Sequence, residues 1–172
     1  MLIAYQTQQE VGEVFDGEIE VDEDYLGGER KSNRGRGAGG KLPAFSFLKL
    51  GGCVYTKIIL DVSNASLLPI IKCEVVPDSI IYSNYWQGYN GLDISEFKHY
   101  CINHLKLFVD KSNHINGIEN FWNQAKRHMR KFNGLLRKNF GPFSKEYEWR
   151  FNSLLPKAKL KLIKQWVKQF MG

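Results

Sequence analysis

The feature that most constrains the fold is a change of hydrophobic period at Asn116. From there the large apolar residues recur every three to four positions, a spacing that places them on one face of an α-helix. These residues are Ile118, Phe121, Trp122, Ala125, Met129 and Phe132. A helix with one wide apolar face has to bury that face against another layer of structure. The rest of the chain must therefore supply that layer.

The sequence before this helix is typical of β-strands. Residues 17–26 alternate apolar and acidic side chains and end at a Gly-Gly turn, which predicts a strand. Residues 44–50 and 53–62 are rich in β-branched and aromatic side chains and flank Gly51-Gly52. This pattern predicts a hairpin of two further strands.

The remaining elements have shorter signals. Residues 64–75 show helical apolar spacing after a capping-type start at Asn64 or Ser66, and Pro69 is tolerable only in the first turn of such a helix. Strands are predicted in 78–84 and 96–104, and two further helices in 144–155 and 159–170. Strands followed by helices predict an α/β fold around a mixed sheet.

Composition narrows the class of protein. The 172 residues correspond to one domain, and 24 Lys and Arg against 18 Asp and Glu give a net charge of +6, which favours nucleic acid over a membrane as partner. The three cysteines contain no C-x-x-C, so we expect no disulfide framework and a reducing compartment. No apolar run is long enough for a signal peptide or a membrane span. We therefore expect a soluble, cytoplasmic, nucleoid-associated protein.

Acidic residues in two elements are candidates for chemistry. In the first strand the period of two puts Glu20, Asp22 and Asp24 on one face, a costly row of carboxylates unless solvent or a cation screens it. In the long helix, Glu119 lies at the border of the apolar face, with Lys126 seven residues later on the same stripe. For the strand acids the alternative is a solvent-facing strand edge. For Glu119 and Lys126 the alternative is an exposed polar flank of the helix, which the helix by itself favours.

The loop before the hairpin is rich in glycine and arginine. Gly35 to Lys41 fits G-x-x-x-x-G-K, but Leu42 stands where a phosphate loop needs Ser or Thr, and a strand follows instead of a helix. We therefore expect no nucleotide cofactor. Basic residues between glycines can approach a DNA backbone closely. A loop that only faces solvent is a comparable alternative. These candidate DNA-binding residues are Arg30, Lys31, Arg34, Arg36 and Lys41.

Histidine and cysteine in the last predicted strand are possible zinc ligands. Their spacing, His99, Cys101 and His104, matches no standard structural zinc site. In a strand, His99 and Cys101 would point to one face and His104 to the other. Zinc is therefore a minor alternative.

Five segments together resemble a known family: "VDEDYLGG", "GRGAGGK", "YWQGYNGL", "HINGIENFWNQAKRHMRKFNG" and "EWRFN". They are similar to the catalytic domain of bacterial insertion-sequence transposases, the ISXO-type group of the DDE superfamily, over about residues 17–152. The resemblance implies an RNase H-like α/β fold, a mixed five-stranded sheet with helices on its faces, followed here by C-terminal helices. It also implies cleavage and strand transfer of double-stranded DNA with two Mg²⁺ or Mn²⁺ ions, by a homo-oligomer on DNA.

The resemblance assigns residues to the acidic triad. Asp22 matches the first catalytic acid and metal ligand, Glu119 the third, and Lys126 the accompanying basic residue. The second acid should close the strand "IIYS", and that position is Asn84. The interval from 84 to 119 is 35 positions, as in the D-35-E pattern of the superfamily. Asn84 thus resembles an acid that has lost its charge, which predicts a weak or inactive catalyst.

Other parts of the chain depart from the family pattern or extend it. Asp78 and Asp93 are the nearby acids that could substitute for Asn84, and both fit the pattern poorly. Gly141-Pro142 should break a helix that is uninterrupted in the family. The basic end of the long helix adds further candidate DNA contacts: Lys126, Arg127, Arg130 and Lys131.

The predicted organisation is an N-terminal extension (1–16), the catalytic domain (17–152) and a basic amphipathic C-terminal helix (153–172). Family members usually carry a helical DNA-end-recognition segment before the catalytic domain, so we expect a truncated copy in which end recognition is absent or supplied by another chain. Two alternatives to a transposase stay open. One is a noncatalytic DNA-binding remnant that inhibits or regulates transposition, and the other is an RNase H-like nuclease that cuts structured DNA without joining it.

Overall fold

The computed structural model describes residues 3–4, 14–27, 41–92, 96–102, 115–132, 135–152 and 156–171. Within these ranges a five-stranded sheet has the order β3-β2-β1-β4-β5. Its strands are β1 (Glu18–Leu26), β2 (Leu42–Lys49), β3 (Val54–Ile58), β4 (Ile80–Asn84) and β5 (Lys98–Ile102). The first three strands pair antiparallel, and β4 and β5 run parallel to β1. β1 therefore lies at the centre of a mixed sheet.

Helices lie on both faces of the sheet. They are α1 (Asn64–Glu74), α2 (Asn116–Met129), α3 (Phe140–Asn152) and α4 (Pro156–Met171), with short 3₁₀ turns at Gln87–Tyr89 and Arg137–Asn139. On one face, Leu67 and Ile71 of α1 pack with Ile19 and Phe45. The other face carries α2 and α3.

The core on the α2 face forms from the apolar stripe that the sequence predicts. Ile118, Phe121 and Trp122 are buried together with Leu26 and Leu48 of the sheet. This arrangement is an RNase H-like α/β fold, as the resemblance implied. No helix among the described residues has the length and apolar character that spanning a membrane requires.

Three local predictions need correction. Pro69 lies in the second turn of α1, which begins at Asn64 after the Ser63 cap. The helix tolerates it because Pro69 and Ala65, whose carbonyl loses its N–H partner, are both exposed. Phe132 does not extend the buried stripe, because α2 ends at Met129 and Phe132 is 50% exposed.

The Gly141-Pro142 pair does not break α3, which is the third correction. Pro142 is the third residue of α3. A proline in the first turn removes an N–H that has no intrahelical partner in any case. The predicted break is therefore only the start of the helix.

Helix α3 closes the exposed edge of β3 with two side chains spaced one turn apart. Asn152 Oδ1 accepts from Val54 N at 2.7 Å, and Asn152 Nδ2 donates to Val54 O at 2.7 Å. Glu148 Oε2 accepts from the backbone N and the Oγ1 of Thr56, at 2.6 and 2.7 Å. These bonds satisfy edge-strand groups that would otherwise be open to another strand. The first and last residues of the "EWRFN" segment thus have a structural role.

We expect Asn152→Ala to lower the free energy of unfolding by about 1–3 kcal/mol, because it leaves an N–H and a C=O of Val54 without their partner. The matched control on the same helix is Arg150→Ala, which removes only an exposed pair with Glu146 and should cost about 0.5 kcal/mol or less. Urea unfolding measures both. Equal effects of the two variants would contradict this role for Asn152.

Candidate active site

The row of acids on β1 lies under α2 and not at a solvent-facing edge. β1 is the central strand, and Glu20 is only 3% exposed. Asp22 and Asp24 follow it on the same face at the period of two. The interpretation of these three acids as a solvent-facing strand edge is therefore wrong.

Asp22 and Asn84 are in direct contact. The parallel register of β1 and β4 pairs Glu20 with Tyr82, so Asp22 and Asn84, two residues further on, come side by side. Asn84 Nδ2 donates to Asp22 Oδ1 at 2.9 Å. With Asp22 ionised, the opposite amide orientation would set two oxygens against each other, so the ionised form requires the amide nitrogen to face Asp22. Within the described residues, the buried Asn84 Oδ1 has no hydrogen-bond partner.

The electrostatics of this contact are those of crowded, buried acids. Burial, first of all, and the charges of Glu23, Asp24 and Glu119 together raise the pKa of Asp22 to about 8. Glu119 also acts on Glu20, whose pKa burial raises to about 7. The charge of Glu119 thus acts on two side chains of β1. The three elements that carry Asp22, Asn84 and Glu119 therefore meet in one region.

Glu20 holds the beginning of α2 in place. Its Oε2 accepts from Ile118 N at 2.7 Å, and the backbone N–H groups of Ile118 and Gly117 lower its pKa. Ile115, the residue before α2, makes no side-chain cap. The free N–H groups of a helix start attract an anion, and here a strand residue supplies it. Glu119 lies in the same turn, so this contact also sets its position.

Gly117 permits that contact. A Cβ at this position would lie 2.9 Å from Glu20 Oε2 and 2.5 Å from Leu48 Cδ2. Both of these side chains are buried, so neither can move aside easily. The glycine in "HINGIENFW" is therefore explained by close packing.

Lys126 is held beside the acids by Asp24. Its Nζ lies 2.6 Å from Asp24 Oδ2, a close charge pair whose angles do not make a hydrogen bond. Lys126 is 44% exposed and Asp24 is 14% exposed. The ammonium group of Lys126 therefore stays accessible at the border of the core, as the sequence predicts. The interpretation of Lys126 as part of an exposed polar flank without a partner is wrong.

The other predicted residues are less closely grouped. Arg127, Arg130 and Lys131 are exposed at the end of α2. Lys41 is half-buried just before β2. Four predicted DNA contacts lie outside the described residues: Arg30, Lys31, Arg34 and Arg36.

The side chains named as alternatives have other places and other partners than the contact between Asp22 and Asn84. Asp78 lies before β4, at the end opposite to Asn84, and Asp93 and His104 are outside the described residues. His99 Nε2 lies 2.7 Å from Ser83 Oγ, and Cys101 Sγ contacts the backbone oxygen of Asn84 at 3.5 Å. The sequence did not reveal Glu20 as the anchor of α2 or Asp24 as the partner of Lys126, although their shared strand face was visible.

The donor atoms do not fit a two-cation centre. Among the described residues no group of three or more His, Cys, Asp or Glu is arranged to hold a metal ion. At the contact itself, Asn84 presents an N–H to Asp22 and not a second anionic oxygen. Hard divalent cations prefer carboxylate oxygens, and the site offers fewer of them than the triad requires.

Comparison with known proteins identifies the class as an insertion-sequence transposase domain. Residues 14–152 match the ISXO2-like transposase domain family. The chain is 50% identical over 115 residues to an uncharacterized transposase-like protein of Haemophilus influenzae, a match that covers 67% of this chain and 94% of that protein. The chain belongs to the ISXO2-like transposase domain family.

One solved structure with a similar chain is an intasome of simian T-cell lymphotropic virus. The match has 12% sequence identity and a TM-score of 0.43, and it covers 80% of this chain and 49% of the other. This chain therefore spans about half the length of that one.

We expect Gly117→Ala to lower the free energy of unfolding by about 1–2 kcal/mol, since overpacking at Glu20 and Leu48 exceeds the helix-propensity gain of Ala over Gly. Gly141→Ala is the matched control, because Gly141 is also the second residue of a helix and its Cβ would meet only Ile58 Cγ1, at an ordinary 3.8 Å. The ring of Pro142 disfavours a helical conformation for Ala before it, which offsets the helix-propensity gain of Ala over Gly, so the control should change the free energy of unfolding by less than about 0.5 kcal/mol. Equal destabilisation of the two variants in thermal unfolding would contradict the tight contact.

Proposed function

We propose that this chain is the catalytic domain of a DNA transposase in which Asp22 and Glu119 are catalytic acids and Asn84 occupies the place of the second acid. We propose further that the asparagine leaves metal-dependent cleavage and strand transfer weak or absent. The observation that carries this proposal is the 2.9 Å contact from Asn84 Nδ2 to Asp22 Oδ1. It pairs two positions that the family pattern makes acidic, on neighbouring parallel strands.

The chemistry explains why one amide matters. Divalent ions held by the acids of a complete triad would supply activation of the attacking oxygen and stabilisation of the leaving oxygen in a phosphoryl substitution. Asn84 can offer a metal ion at most one neutral oxygen. Its amide N–H group donates a hydrogen bond to one oxygen of Asp22, which is then less available to a cation. The fold survives the substitution because amide and carboxylate have nearly the same shape.

The basic residues have separate roles in this proposal. Lys126, held by Asp24 at 2.6 Å, would contact a phosphate near the scissile bond. Arg127, Arg130 and Lys131 extend the positive surface along and beyond the end of α2, and the glycine- and arginine-rich loop would add further backbone contacts. We propose that the catalytic domain spans residues 17–152, with extensions at 1–16 and 153–172. We also propose that the protein assembles as a homo-oligomer on double-stranded DNA.

One observation favours the second candidate, a noncatalytic DNA-binding protein that regulates transposition. Asn84 Nδ2 donates to Asp22 Oδ1 at 2.9 Å, which gives this buried carboxyl group a partner without any cation. Burial and the neighbouring acids raise the pKa of Asp22 to about 8, which disfavours its charged form at pH 7. The acidic centre is therefore compatible with a stable fold that binds DNA and does not cut it.

We expect Asn84→Asp to increase cleavage of a plasmid carrying the element's ends by at least about tenfold in Mg²⁺ or Mn²⁺, because losing even an outer-shell metal partner costs about 10–100-fold. The control is the double variant Asn84→Asp with Glu119→Gln, which should return activity to the level of the natural sequence. Gel analysis of nicked and joined products measures all three proteins.

The outcomes separate the two candidates. If the natural protein cleaves the plasmid as well as Asn84→Asp does, the proposal that it is a weak catalyst is refuted. DNA binding by both proteins with cleavage by neither would support the regulator. Failure of both to bind DNA would contradict both candidates.

A further inference from the structure

Helix α4 carries five lysines and no acidic residue. Its 16 residues follow the segment that the transposase family matches, which ends at residue 152. Among its described side chains, only Trp166 is buried, at 7% exposure. Trp166 packs on Trp149 of α3, with ring centroids 5.7 Å apart. One tryptophan therefore defines the side of α4 that faces the protein.

Four of the lysines form a stripe on the opposite side. They follow one another at intervals of four, three and four residues: Lys157, Lys161, Lys164 and Lys168. At about 100° per residue they fall within an arc of about 60°, and Trp166 lies about 170° from the centre of that arc. All four are exposed, and they border one shallow groove with Leu160 and Gln165. We call these four residues the lysine stripe.

The lysine stripe has no internal countercharge in the part of the chain that the structure describes. The fifth lysine, Lys159, points elsewhere and donates to the backbone oxygen of Arg150 at 2.6 Å. Ion pairs among the described residues involve other lysines, such as Lys126 and Lys145. Like charges one turn apart destabilise a helix, so the stripe lowers the stability of α4 unless an anion covers it.

We propose that the lysine stripe is a binding surface for the phosphate backbone of double-stranded DNA, separate from the candidate active site. The proposal rests on the transposase function proposed above. From Lys157 to Lys168 the helix rises about 16 Å, and a duplex carries one phosphate charge for about every 1.7 Å of its axis, counting both strands. A duplex lying against the stripe therefore places phosphates within reach of its four cations.

The position of α4 makes this a second contact and not part of the acidic centre. α4 packs on α3 through Trp149, and α3 closes the β3 edge of the sheet. Asp22 and Asn84 lie on β1 and β4 instead. A duplex gripped at α4 would therefore be held on the β3 side while the acids act elsewhere.

A membrane surface is the competing partner for a basic amphipathic helix. Such a helix inserts its apolar face, and the side of α4 opposite the lysines contains Trp166, which already packs on Trp149. Leu162 and Phe170 flank Trp166 and are exposed, but insertion of the whole apolar side would break the contact between Trp166 and Trp149. DNA requires only the lysines that already face solvent.

The test compares two full-length variants with the same loss of charge. One removes the lysine stripe (K157Q, K161Q, K164Q and K168Q). The other removes four exposed lysines elsewhere (K49Q, K72Q, K98Q and K138Q). Binding of a duplex oligonucleotide of arbitrary sequence is measured by fluorescence anisotropy over a range of salt concentrations, and circular dichroism checks that both variants fold.

We expect the slope of log K against log salt to fall in magnitude by about 3–4 for the stripe variant, since each phosphate contact contributes about 0.9. The control variant should change the slope by less than about 1. An unchanged slope in the stripe variant, with the wild-type protein binding normally, would overturn this inference and leave the proposed function intact. Equal losses in both variants would also overturn it, because they would reflect net charge.

Two further results would contradict the choice of partner. Anionic lipid vesicles bound with the same dependence on the stripe would show that any anionic surface suffices. Wild-type protein that fails to bind the duplex would contradict the proposed transposase function together with this inference.

Discussion

The carboxylate of Glu20 joins the central strand to the helix that completes the acidic centre. It is buried and accepts from the backbone of Ile118 at 2.7 Å, so it supplies the anion that a helix start requires. Gly117 leaves room for it, because any Cβ there would meet Glu20 and Leu48. The place of Glu119 relative to Asp22 follows from this contact. The two family segments "VDEDYLGG" and "HINGIENFW" therefore meet in space through Glu20, a residue just before the first of them.

Position 84 decides what the centre can do. With aspartate there, two carboxylates would face each other across a hydrogen-bonding distance, a repulsion that a divalent cation relieves. With asparagine, the amide N–H bonds Asp22 directly and the repulsion is absent. The substitution stabilises the site without a cation and reduces the number of anionic ligands. On the proposed function, such a chain would keep the transposase-domain fold while its metal chemistry weakens.

The sequence predicted the parts that depend on local pattern. The period of α2, the hairpin at Gly51-Gly52 and the shared face of Glu20 and Asp22 are all present in the structure. The mixed five-stranded sheet, which the family resemblance implied, is also present. The roles of Asp22, Asn84 and Glu119 stay predictions from that resemblance, although the structure brings their elements together.

The sequence could not predict the parts that depend on distant partners. The capping of α2 by Glu20 and the closure of β3 by Asn152 join residues 98 positions apart, which no local period encodes. The two prolines were misjudged for a related reason. The cost of Pro69 depends on the exposure of Ala65, and that of Pro142 depends on where α3 begins.

The central proposal is that positions 22, 84 and 119 form one site and that the residue at position 84 decides whether that site can hold a divalent cation. Anomalous diffraction from crystals soaked in Mn²⁺ locates such an ion in the natural sequence and in the Asn84→Asp variant. We expect strong Mn²⁺ density among these three positions in the variant and little or none in the natural protein. Equal density in both proteins, or an ion bound in the variant away from Asp22, would contradict the claim.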